Sequence, residues 1–462
     1  MSEAPALSSG ADAKFRQLQA ADCHPAVCAE LERIVRHGRA VDCYKLNVVR
    51  IARVCDVSLT ECLRAFLFAT QLGILDLNYD VFCPSCRGPT NYSKHLMGLH
   101  RHGNCNLCAI EFGLEFLEQV EVTFTVNSDV RAIDVTDFSD RDFDGKIVFF
   151  HEVVQREGRG PAVSHWFQPE SQMVMEAELT SSDGYTFYLA SHHTQGGTID
   201  VAGEPTTEVQ RRALTVHENG EVTPRELHIR PGKVALDVAY NHDKPWPMLV
   251  MKRGFPNNWL SAAHVTSQQD FRDLFAGEFL APGVSFAIRN TTIMFTDIKQ
   301  STEIFEELGD SAAYALIQDH FAVMADIIRT WQGGIVKTIG DAVMATFPIN
   351  SNAVGAACDI QKSFIQEPIK NRFLQVKIGL HRGPTIAVTS NRNLDYFGRN
   401  VNIAARVQGK SAANQVVLST AVMDDPEAGQ LLAQRDVTVT SFTTELKGLG
   451  DGFQLFAVER PS

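Results

Sequence analysis

The sequence predicts an α+β protein of several domains, and three observations lead to this prediction. The chain has 462 residues, which is more than one ordinary hydrophobic core supports. Its 44% hydrophobic and 21% charged residues are typical of a folded globular protein. The spacing of apolar residues changes along the chain, from helical to alternating to a mixture of the two. We therefore expect four regions, with the bounds 1–82, 83–119, 120–283 and 284–462.

Charge and hydropathy exclude some classes of partner. The formal net charge is -13, and an acidic protein gains little from general binding to nucleic acid or to anionic lipid. No apolar stretch is long enough to span a membrane, and the N-terminal MSEAPALSSGADAK lacks the basic-then-apolar order of a secretory signal. We expect a cytoplasmic protein without a membrane partner, whose ten cysteines are thiols or metal ligands.

Residues 1–82 are predicted to be helical, because apolar residues recur every three or four positions in VVRIARVCDVSLTECLRAFLFATQLGIL. Ser58 is the expected N-cap of the last helix. Two short helices around Asp56 resemble a helix-turn-helix, which occurs in DNA readers and also as a packing unit. Basic residues are few here and acidic residues lie among them, which favours an interaction module over DNA binding.

Two Cys-x-x-Cys pairs follow in residues 83–119, namely Cys83 with Cys86 and Cys105 with Cys108. This spacing predicts a zinc ribbon, because Zn²⁺ binds four thiolates tetrahedrally and each tight turn supplies two of them. The metal would replace a hydrophobic core in a segment too small to have one. A shell of four thiolates has no open position for a substrate, so we expect a structural zinc. Thiols without metal, or a redox pair, are the alternatives.

Residues 120–283 are predicted to form an antiparallel β-rich domain, either a sandwich or an open barrel. Short alternating runs such as VEVTFTV and YTFYLASHH are separated there by Gly, Asp, Asn and Pro. The stretch FRDLFAGEFLAPG near the end of this region is predicted to be a short connecting helix that ends at a Pro-Gly break. The sequence assigns no role to this domain.

Residues 284–462 alternate between strands and helices in the βαββαβ order of a ferredoxin-like fold. TTIMFTD is the first strand and ends at Asp297, whereas IVKTI and AVMATF form a hairpin with Asp341 at its tip. These strands are neighbours in this topology, so the two carboxylates should lie close together. Such a pair needs a cation, and oxygen ligands indicate Mg²⁺ or Mn²⁺. The turn after Asp297, with Ser301 and Thr302, leads into a helix whose backbone N–H groups can bind phosphate.

Four motifs in this region, in this order and spacing, resemble the catalytic domain of class III nucleotidyl cyclases. They are TIMFTDIKQST, VKTIGDAVMATF, KIGLHRGP and LDYFGRNVNIAARV, and the resemblance covers most of residues 285–462. The preceding region is similar to one of unassigned role that comes before some bacterial cyclases of this class. The resemblance implies that the ribose 3′-hydroxyl of a nucleoside triphosphate attacks the α-phosphorus in line, which forms a 3′,5′-cyclic nucleotide and pyrophosphate.

The resemblance also implies the roles of individual residues. Asp297 and Asp341, with the carbonyl of Ile298, match the ligands of two Mg²⁺ or Mn²⁺ ions in each active site. Asn402 matches the amide that orients the ribose, and Arg406 matches the guanidinium that meets the charge developing at phosphorus. The last two residues are four positions apart on a helix, so they share a face.

Lys337 and Asp395 match the pair that selects the base. Lysine with aspartate is the adenine pair of the family, whereas guanylate cyclases have glutamate and a small polar residue. An ammonium donates to adenine N1 and a carboxylate accepts from the 6-amino group, while guanine presents the reverse edge. The resemblance therefore implies adenylate cyclase activity on ATP. The alternatives are a guanylate or pyrimidine nucleotide cyclase, and a non-catalytic nucleotide- or DNA-binding regulator.

The family resemblance also implies a homodimer, since the metal-binding aspartates of one subunit face the other four site residues of its partner. The N-terminal half is expected to bind a regulatory ligand or protein that the sequence does not identify.

Two positions depart from the family pattern, and one histidine within a motif is not expected to be catalytic. Gln300 replaces a glycine, which should change the geometry or flexibility of the phosphate-binding turn. Leu449 stands where the family has a lysine that binds the triphosphate, so Lys447 or Arg392 would take that role. His381 is expected to be a structural residue at a strand end rather than a base.

Overall fold

The structure is a computed structural model that describes residues 7–83, 89–105, 110–135, 161–189, 195–253, 259–448 and 450–460. The α-helices are α1 (Ala11–Ala20), α2 (Pro25–His37), α3 (Val48–Cys55), α4 (Leu59–Gln71), α5 (Ala262–Thr266), α6 (Gln269–Leu274), α7 (Ser301–Leu308), α8 (Asp310–Thr330), α9 (Asn350–Gln366), α10 (Arg399–Gln408), α11 (Thr420–Met423) and α12 (Pro426–Ala433). None of these described helices is long and apolar enough to cross a bilayer.

The strands before residue 260 are β1 (Leu75–Phe82), β2 (Pro89–Ser93), β3 (His102–Cys105), β4 (Ile110–Gly113), β5 (Val120–Val126), β6 (Val163–Phe167), β7 (Ser171–Leu179), β8 (Tyr185–Leu189), β9 (Gly197–Val201), β10 (Thr206–Val216), β11 (Val222–Thr223), β12 (Glu226–Ile229), β13 (Gly232–Tyr240) and β14 (Trp246–Lys252). The later strands are β15 (Phe286–Ile298), β16 (Gly334–Ile339), β17 (Ala342–Phe347), β18 (Val376–Ser390), β19 (Asn393–Phe397), β20 (Gln415–Ser419), β21 (Thr438–Leu446) and β22 (Gly450–Glu459).

The first core combines the N-terminal helices with a small sheet. This sheet has the strand order β2-β1-β5, and β5 pairs antiparallel with β1 along its whole length. Helices α1 to α6 contribute to the same buried cluster as this sheet. The strand pairing thus joins residues on both sides of the boundary that the sequence placed near residue 120.

The helix-turn-helix unit of α3 and α4 is part of this core. Asp56 joins the two helices in a left-handed conformation, with φ of 51°. The hydroxyl of Ser58 accepts a hydrogen bond from the N–H of Glu61, so Ser58 is the predicted N-cap of α4. Side chains on α4 such as Leu63 and Phe66 are fully buried. A recognition helix must be accessible to the major groove, and the burial of α4 therefore supports the packing interpretation.

Two packed sheets form a second core between residues 163 and 252. Their strand orders are β11-β10-β13-β7 and β12-β9-β8-β14-β6, and their inner faces share one apolar cluster. Of the two predicted alternatives, sandwich and open barrel, this is the sandwich, over a shorter range than residues 120–283. The expectation of purely antiparallel pairing was wrong, because β10 runs parallel to β13 and β12 runs parallel to β9. Alternation of apolar residues identifies a strand but carries no information about its direction.

The region of the predicted zinc ribbon contains the hairpin of β3 and β4. Cys83 and Cys105 are both buried, and they share one cluster with Tyr188 of the sandwich. Cys86 and Cys108 lie outside the described residues. In the part of the chain that the structure describes, no three potential ligands form a metal-binding group. The four-thiolate site therefore stays a prediction.

The C-terminal sheet has the ferredoxin-like order that the sequence predicted. Its strands run β16-β17-β15-β18-β20-β22-β21, and β19 pairs with the far end of β18. Strand β15 is antiparallel to both of its neighbours, β17 and β18. Helices α8, α9 and α12 cover one face of the sheet.

The opposite face of this sheet packs against the N-terminal region. Met294 of β15 lies in the core beneath α8 and α9, whereas Ile293 and Phe295 belong to the same cluster as the N-terminal helices. Because successive side chains of a strand point to opposite faces, β15 is buried on both sides. The C-terminal sheet and the N-terminal region therefore share one continuous hydrophobic cluster.

His320 on α8 is expected to make stability depend on pH. Its ring lies between those of Phe321 and Phe364, and burial lowers the pKa of His320 from 6.5 to about 4. Neither ring nitrogen has a hydrogen-bond partner among the described residues. The unfolded chain therefore takes up the proton first, so stability present above pH 6.5 is lost as the pH falls towards 4.

We expect His320→Leu to remove this dependence, which amounts to about 3 kcal/mol of unfolding free energy at pH 4. Denaturant titrations between pH 7 and pH 4 measure the effect, and His100→Leu, at an exposed histidine, is the control. An equally steep loss of stability in His320→Leu and in the wild type would contradict the expectation.

Candidate active site

Two aspartates lie at the same end of neighbouring strands in the C-terminal sheet. Asp297 is near the end of β15, and Asp341 is in the turn between β16 and β17. Strands β15 and β17 are antiparallel neighbours, and Asp341 Oδ2 accepts a hydrogen bond from the Ile298 N–H at 3.2 Å. This hydrogen bond holds the hairpin tip against the end of β15, beside the residue that follows Asp297.

A lysine on the next strand accompanies this pair. Lys377 is the register partner of Asp297 on β18, and its Nζ lies 3.4 Å from Asp297 Oδ2. Lys377 is the first residue of the KIGLHRGP motif, but no role was predicted for it. The register of two strands that are 80 residues apart brings it here, and only a β15–β18 alignment could have indicated it.

The donor set of this cluster fits a hard divalent cation. The carboxylates of Asp297 and Asp341 and the carbonyl of Ile298 are oxygen ligands, which Mg²⁺ and Mn²⁺ prefer. Two carboxylates beside the single ammonium of Lys377 leave a net negative charge that a metal ion would balance.

The turn after Asp297 keeps a glycine-like conformation although it contains Gln300. This residue has φ of 59° and ψ of 36°, in the left-handed region, and its amide donates hydrogen bonds to Glu303. Relative to glycine, a residue with a Cβ in this conformation lowers the free energy of unfolding by about 1–2 kcal/mol. Helix α7 begins directly afterwards, with Ser301 and Thr302 in its first turn.

Lys337 and Asp395 contact each other. Lys337 Nζ donates to Asp395 Oδ2 at 2.6 Å, and Asp395 Oδ1 accepts from the N–H of Tyr396 at 2.8 Å. The Lys337 side chain is 40% exposed and that of Asp395 is 16% exposed. Their strands, β16 and β19, are not hydrogen-bonded neighbours, so side chains rather than backbone make this connection.

Helix α10 carries the predicted amide and guanidinium. Asn402 is exposed and Arg406 is half-buried, and among the described residues neither side chain has a hydrogen-bond partner. The guanidinium lies beside the exposed Lys447–Gly448 turn, since a Cβ at Gly448 would be 3.7 Å from Arg406 Nη2. Lys447 is therefore close to Arg406 in the fold. Arg392 lies in the turn between β18 and β19. Leu449 is outside the described residues.

Glycine and histidine residues on β18 position α10. A Cβ at Gly379 would be 2.2 Å from the backbone nitrogen of Gln408, so the helix approaches the strand as closely as only glycine allows. His381 is buried, and its ring nitrogens form hydrogen bonds with Ser419 Oγ at 2.9 Å and Asn400 Oδ1 at 3.0 Å. Burial lowers the pKa of His381, so the ring stays neutral. These contacts support the structural role predicted for His381, but its predicted position at a strand end was wrong, because β18 continues to Ser390.

The site residues form separate sets within one chain. In the first set, Lys377 contacts Asp297, and Asp341 contacts the backbone of the next residue, Ile298. In the second set, Lys337 contacts Asp395. Between these two sets, no hydrogen bond or ion pair occurs in the described ranges.

Two protein families match this chain. Residues 8–253 match a family described as "Family of unknown function (DUF5939)", which covers more than half of the chain. Residues 285–449 match the family "Adenylate and Guanylate cyclase catalytic domain". The second match includes the candidate site residues from Asp297 to Lys447.

Several curated proteins are similar to this chain. An adenylate cyclase of Lachancea kluyveri is 32% identical in an alignment of 164 residues that covers 30% of this chain and 9% of that protein. An adenylate cyclase of Anabaena cylindrica is 22% identical in an alignment of 282 residues that covers 56% of this chain and 53% of that protein. An uncharacterized protein of Mycobacterium tuberculosis is 30% identical over 151 residues, 32% of this chain and 38% of that protein. The chain thus spans less than a tenth of the fungal protein and about half of the cyanobacterial one.

Some solved structures are similar to part of this chain. The adenylyl cyclase CyaB from P. aeruginosa has 22% identity and a TM-score of 0.32, covering 39% of this chain and 97% of that one. The catalytic core of a rhodopsin-guanylyl cyclase with converted specificity, in complex with ATPalphaS, has 23% identity and a TM-score of 0.34, covering 39% of this chain and 100% of that one.

Proposed function

Because this chain belongs to the family of unknown function DUF5939 and joins it to an adenylate and guanylate cyclase catalytic domain, we propose that it is an adenylate cyclase. The reaction converts ATP into 3′,5′-cyclic AMP and pyrophosphate. The contact between Lys337 and Asp395 carries this proposal, because these two residue types fit the edge of adenine. Relatives named adenylate cyclase support it.

Base selection depends on the two charges at Lys337 and Asp395. The ammonium donates to adenine N1, and the carboxylate accepts from the 6-amino group. Each group already has a charged partner, so adenine exchanges one set of hydrogen bonds for another. Guanine would place its N1–H against the ammonium and its O6 against the carboxylate, which leaves both charges without a partner.

Asp297, Asp341 and the carbonyl of Ile298 would hold two Mg²⁺ or Mn²⁺ ions. When bound, the ions lower the pKa of the ribose 3′-hydroxyl and neutralise the triphosphate. The N–H of Ile298 keeps Asp341 against the end of β15, and Lys377 orients Asp297. Backbone N–H groups of the first turn of α7, at Ser301 and Thr302, bind phosphate oxygens.

Helix α10 carries the two side chains that contact the ribose and the α-phosphorus. Asn402 orients the ribose, and Arg406 stabilises the charge that develops at the α-phosphorus as pyrophosphate leaves. A planar guanidinium with several donors suits this role better than a lysine would. Lys447 lies beside Arg406 and binds the triphosphate, with Arg392 as the other candidate.

We propose a homodimer in which two such sites form between subunits. The carboxylate set and the base-selecting set belong to one chain without a described contact between them, as composite sites require. Phe397 is 68% exposed and its cross-strand partner Ile386 is 39% exposed, next to Asp395 on β19. A second copy of the chain covers this apolar surface.

A guanylate cyclase is the main alternative, because the matched family includes both activities. For a pyrimidine nucleotide cyclase, the second alternative, we would expect residue types other than lysine and aspartate at positions 337 and 395. A regulator without activity would have no use for Arg406 at the reacting centre. We further propose that the protein works in the cytoplasm, where its substrate ATP is made, and that its N-terminal half binds a regulatory ligand or protein.

Purified protein with Mn²⁺ or Mg²⁺ is expected to form cyclic AMP from ATP. The double variant Lys337→Glu with Asp395→Cys is expected to lower kcat/KM for ATP relative to GTP by about 100-fold or more, because it removes both contacts to the adenine edge. Chromatography of the cyclic products measures both reactions. Lys370→Glu with Asp319→Cys, at an exposed ion pair of the same domain, is the control. An unchanged ratio in the first variant would contradict adenine recognition, and cyclic GMP from the wild type would favour the alternative.

Phe397→Glu is expected to shift the protein to monomers and to lower activity at least about tenfold, since a charge in an apolar interface must lose its water. Sedimentation velocity and turnover measure the two effects. Phe373→Glu, at a phenylalanine that is 60% exposed in the same domain, is the matched control. A wild type that is fully active as a monomer would refute the dimer.

We also propose that Cys83, Cys86, Cys105 and Cys108 bind structural zinc. Purified protein should contain about one Zn²⁺ per chain, and Cys83→Ser should lose it together with thermal stability. Mass spectrometric metal analysis measures the content, and Cys358→Ser, at a buried cysteine of the catalytic domain, is the control. Wild-type protein without zinc would rule this site out.

A further inference from the structure

Helix α6 contacts both strands that carry the base-selecting pair. It spans Gln269–Leu274, in the segment between the two family matches, which end at residue 253 and begin at residue 285. Neither match therefore gives this helix a role.

On one side, α6 and the residue before it hold the entry to β16. Gln268 Nε2 donates to the carbonyl of Gln332 at 3.0 Å. The N–H of Gln269 donates to the carbonyl of Gly333 at 3.0 Å, and its side-chain oxygen accepts from the N–H of Ile335 at 2.6 Å. Ile335 is two residues before Lys337, so this contact fixes the start of the strand that carries the lysine.

On the other side, Arg272 of α6 holds β19. Its Nη1 donates to the carbonyl of Leu394 at 3.3 Å, and its guanidinium carbon lies 5.5 Å from the centre of the Tyr396 ring. These two residues flank Asp395. One guanidinium thus contacts the chain immediately before and immediately after the carboxylate.

Helix α6 is itself held firmly. Arg329 of α8 forms ion pairs with Asp270 at 3.0 Å and with Asp273 at 2.8 Å. Phe271 is buried in the cluster that joins the N-terminal region to the catalytic sheet. Motion of the N-terminal core would therefore be passed on to α6.

Arg272 is half-buried, and the surroundings of its guanidinium indicate a role other than stability. Its Nε and Nη2 are buried without a hydrogen-bond partner in the described part of the chain. Burial of unpaired donors costs free energy, so the fold gains little from placing a guanidinium there. What it does provide is a fixed position for the backbone around Asp395.

We propose that Arg272 is a positioning residue for recognition of the base, and that α6 sets the spacing between Lys337 and Asp395. This inference rests on the proposed function of the same site. Through α6 the N-terminal region controls which nucleotide fits. The contacts described for α6 do not involve Asp297, Asn402 or Arg406, so the chemical step is left to other parts of the fold.

Arg272→Ala tests this inference. It is expected to raise the KM and the equilibrium dissociation constant for ATP about tenfold and to narrow the preference for ATP over GTP about tenfold, while kcat changes less than about threefold. Arg272→Lys, which keeps a donor for the Leu394 carbonyl and a cation at the Tyr396 ring, should restore most of the preference. Equilibrium dialysis of full-length protein with labelled 3′-deoxy-ATP and 3′-deoxy-GTP, which lack the attacking hydroxyl, gives the binding ratio without turnover.

Arg101→Ala is the matched control. Arg101 also connects the N-terminal region to the catalytic domain, but it donates to the carbonyl of Ser285 at 2.9 Å, away from both strands. This variant should keep the preference for ATP. If Arg272→Ala does not fold, Tyr396→Leu removes the ring from the other side of the contact and should narrow the preference in the same way.

The outcomes separate the inference from the proposed function. The role of α6 would be overturned if Arg272→Ala or Tyr396→Leu lowered the affinities for ATP and GTP by the same factor. It would also be overturned if Arg101→Ala changed the preference for ATP as much as Arg272→Ala does. A wild type that binds ATP but forms no cyclic product would refute the cyclase, while the binding ratio still decides on α6. A wild type that binds neither nucleotide would overturn both.

Discussion

The fold depends on one strand that is buried on both faces. β15 places Met294 in the core under the helices and places Ile293 and Phe295 in the cluster shared with the N-terminal region. A shift of one residue would exchange these faces, so the register is strongly specified. Burial of each large side chain contributes roughly 2 kcal/mol. That register is what brings Asp297 to the sheet edge opposite Lys377.

The sequence predicted the catalytic fold well and the N-terminal sheet poorly. In the catalytic domain each element has a clear period, and Gly340 with Asp341 marks the hairpin. In residues 1–82 the helical spacing extended to Leu75, where β1 in fact begins. Pairing of β1 with β5 depends on contacts between residues 39 to 51 positions apart, which no local pattern records. The same limit applies to the parallel pairing of β10 and β13.

The sequence allowed a role to be proposed for a site residue where chemical type and motif spacing together suggest one. The carboxylates, the base-selecting pair and the groups on α10 stand in motifs with fixed spacing. Lys377 was missed because a register between distant strands places it beside Asp297. Arg272 was missed for a different reason, since it binds a backbone carbonyl of Leu394 that any residue would provide.

The location of α6 matters for shortened forms of the protein. Its last residue, Leu274, precedes the start of the cyclase match at residue 285, so a fragment cut at that boundary would retain Asp297 to Arg406 and lack the helix. Such a fragment would expose to water the sheet surface around Leu394 and Tyr396, which lies in one cluster with Phe271. Exposed apolar surface of this kind promotes aggregation. A nucleotide preference measured on the isolated domain would then be that of a sheet without α6 and would differ from the preference of the intact protein.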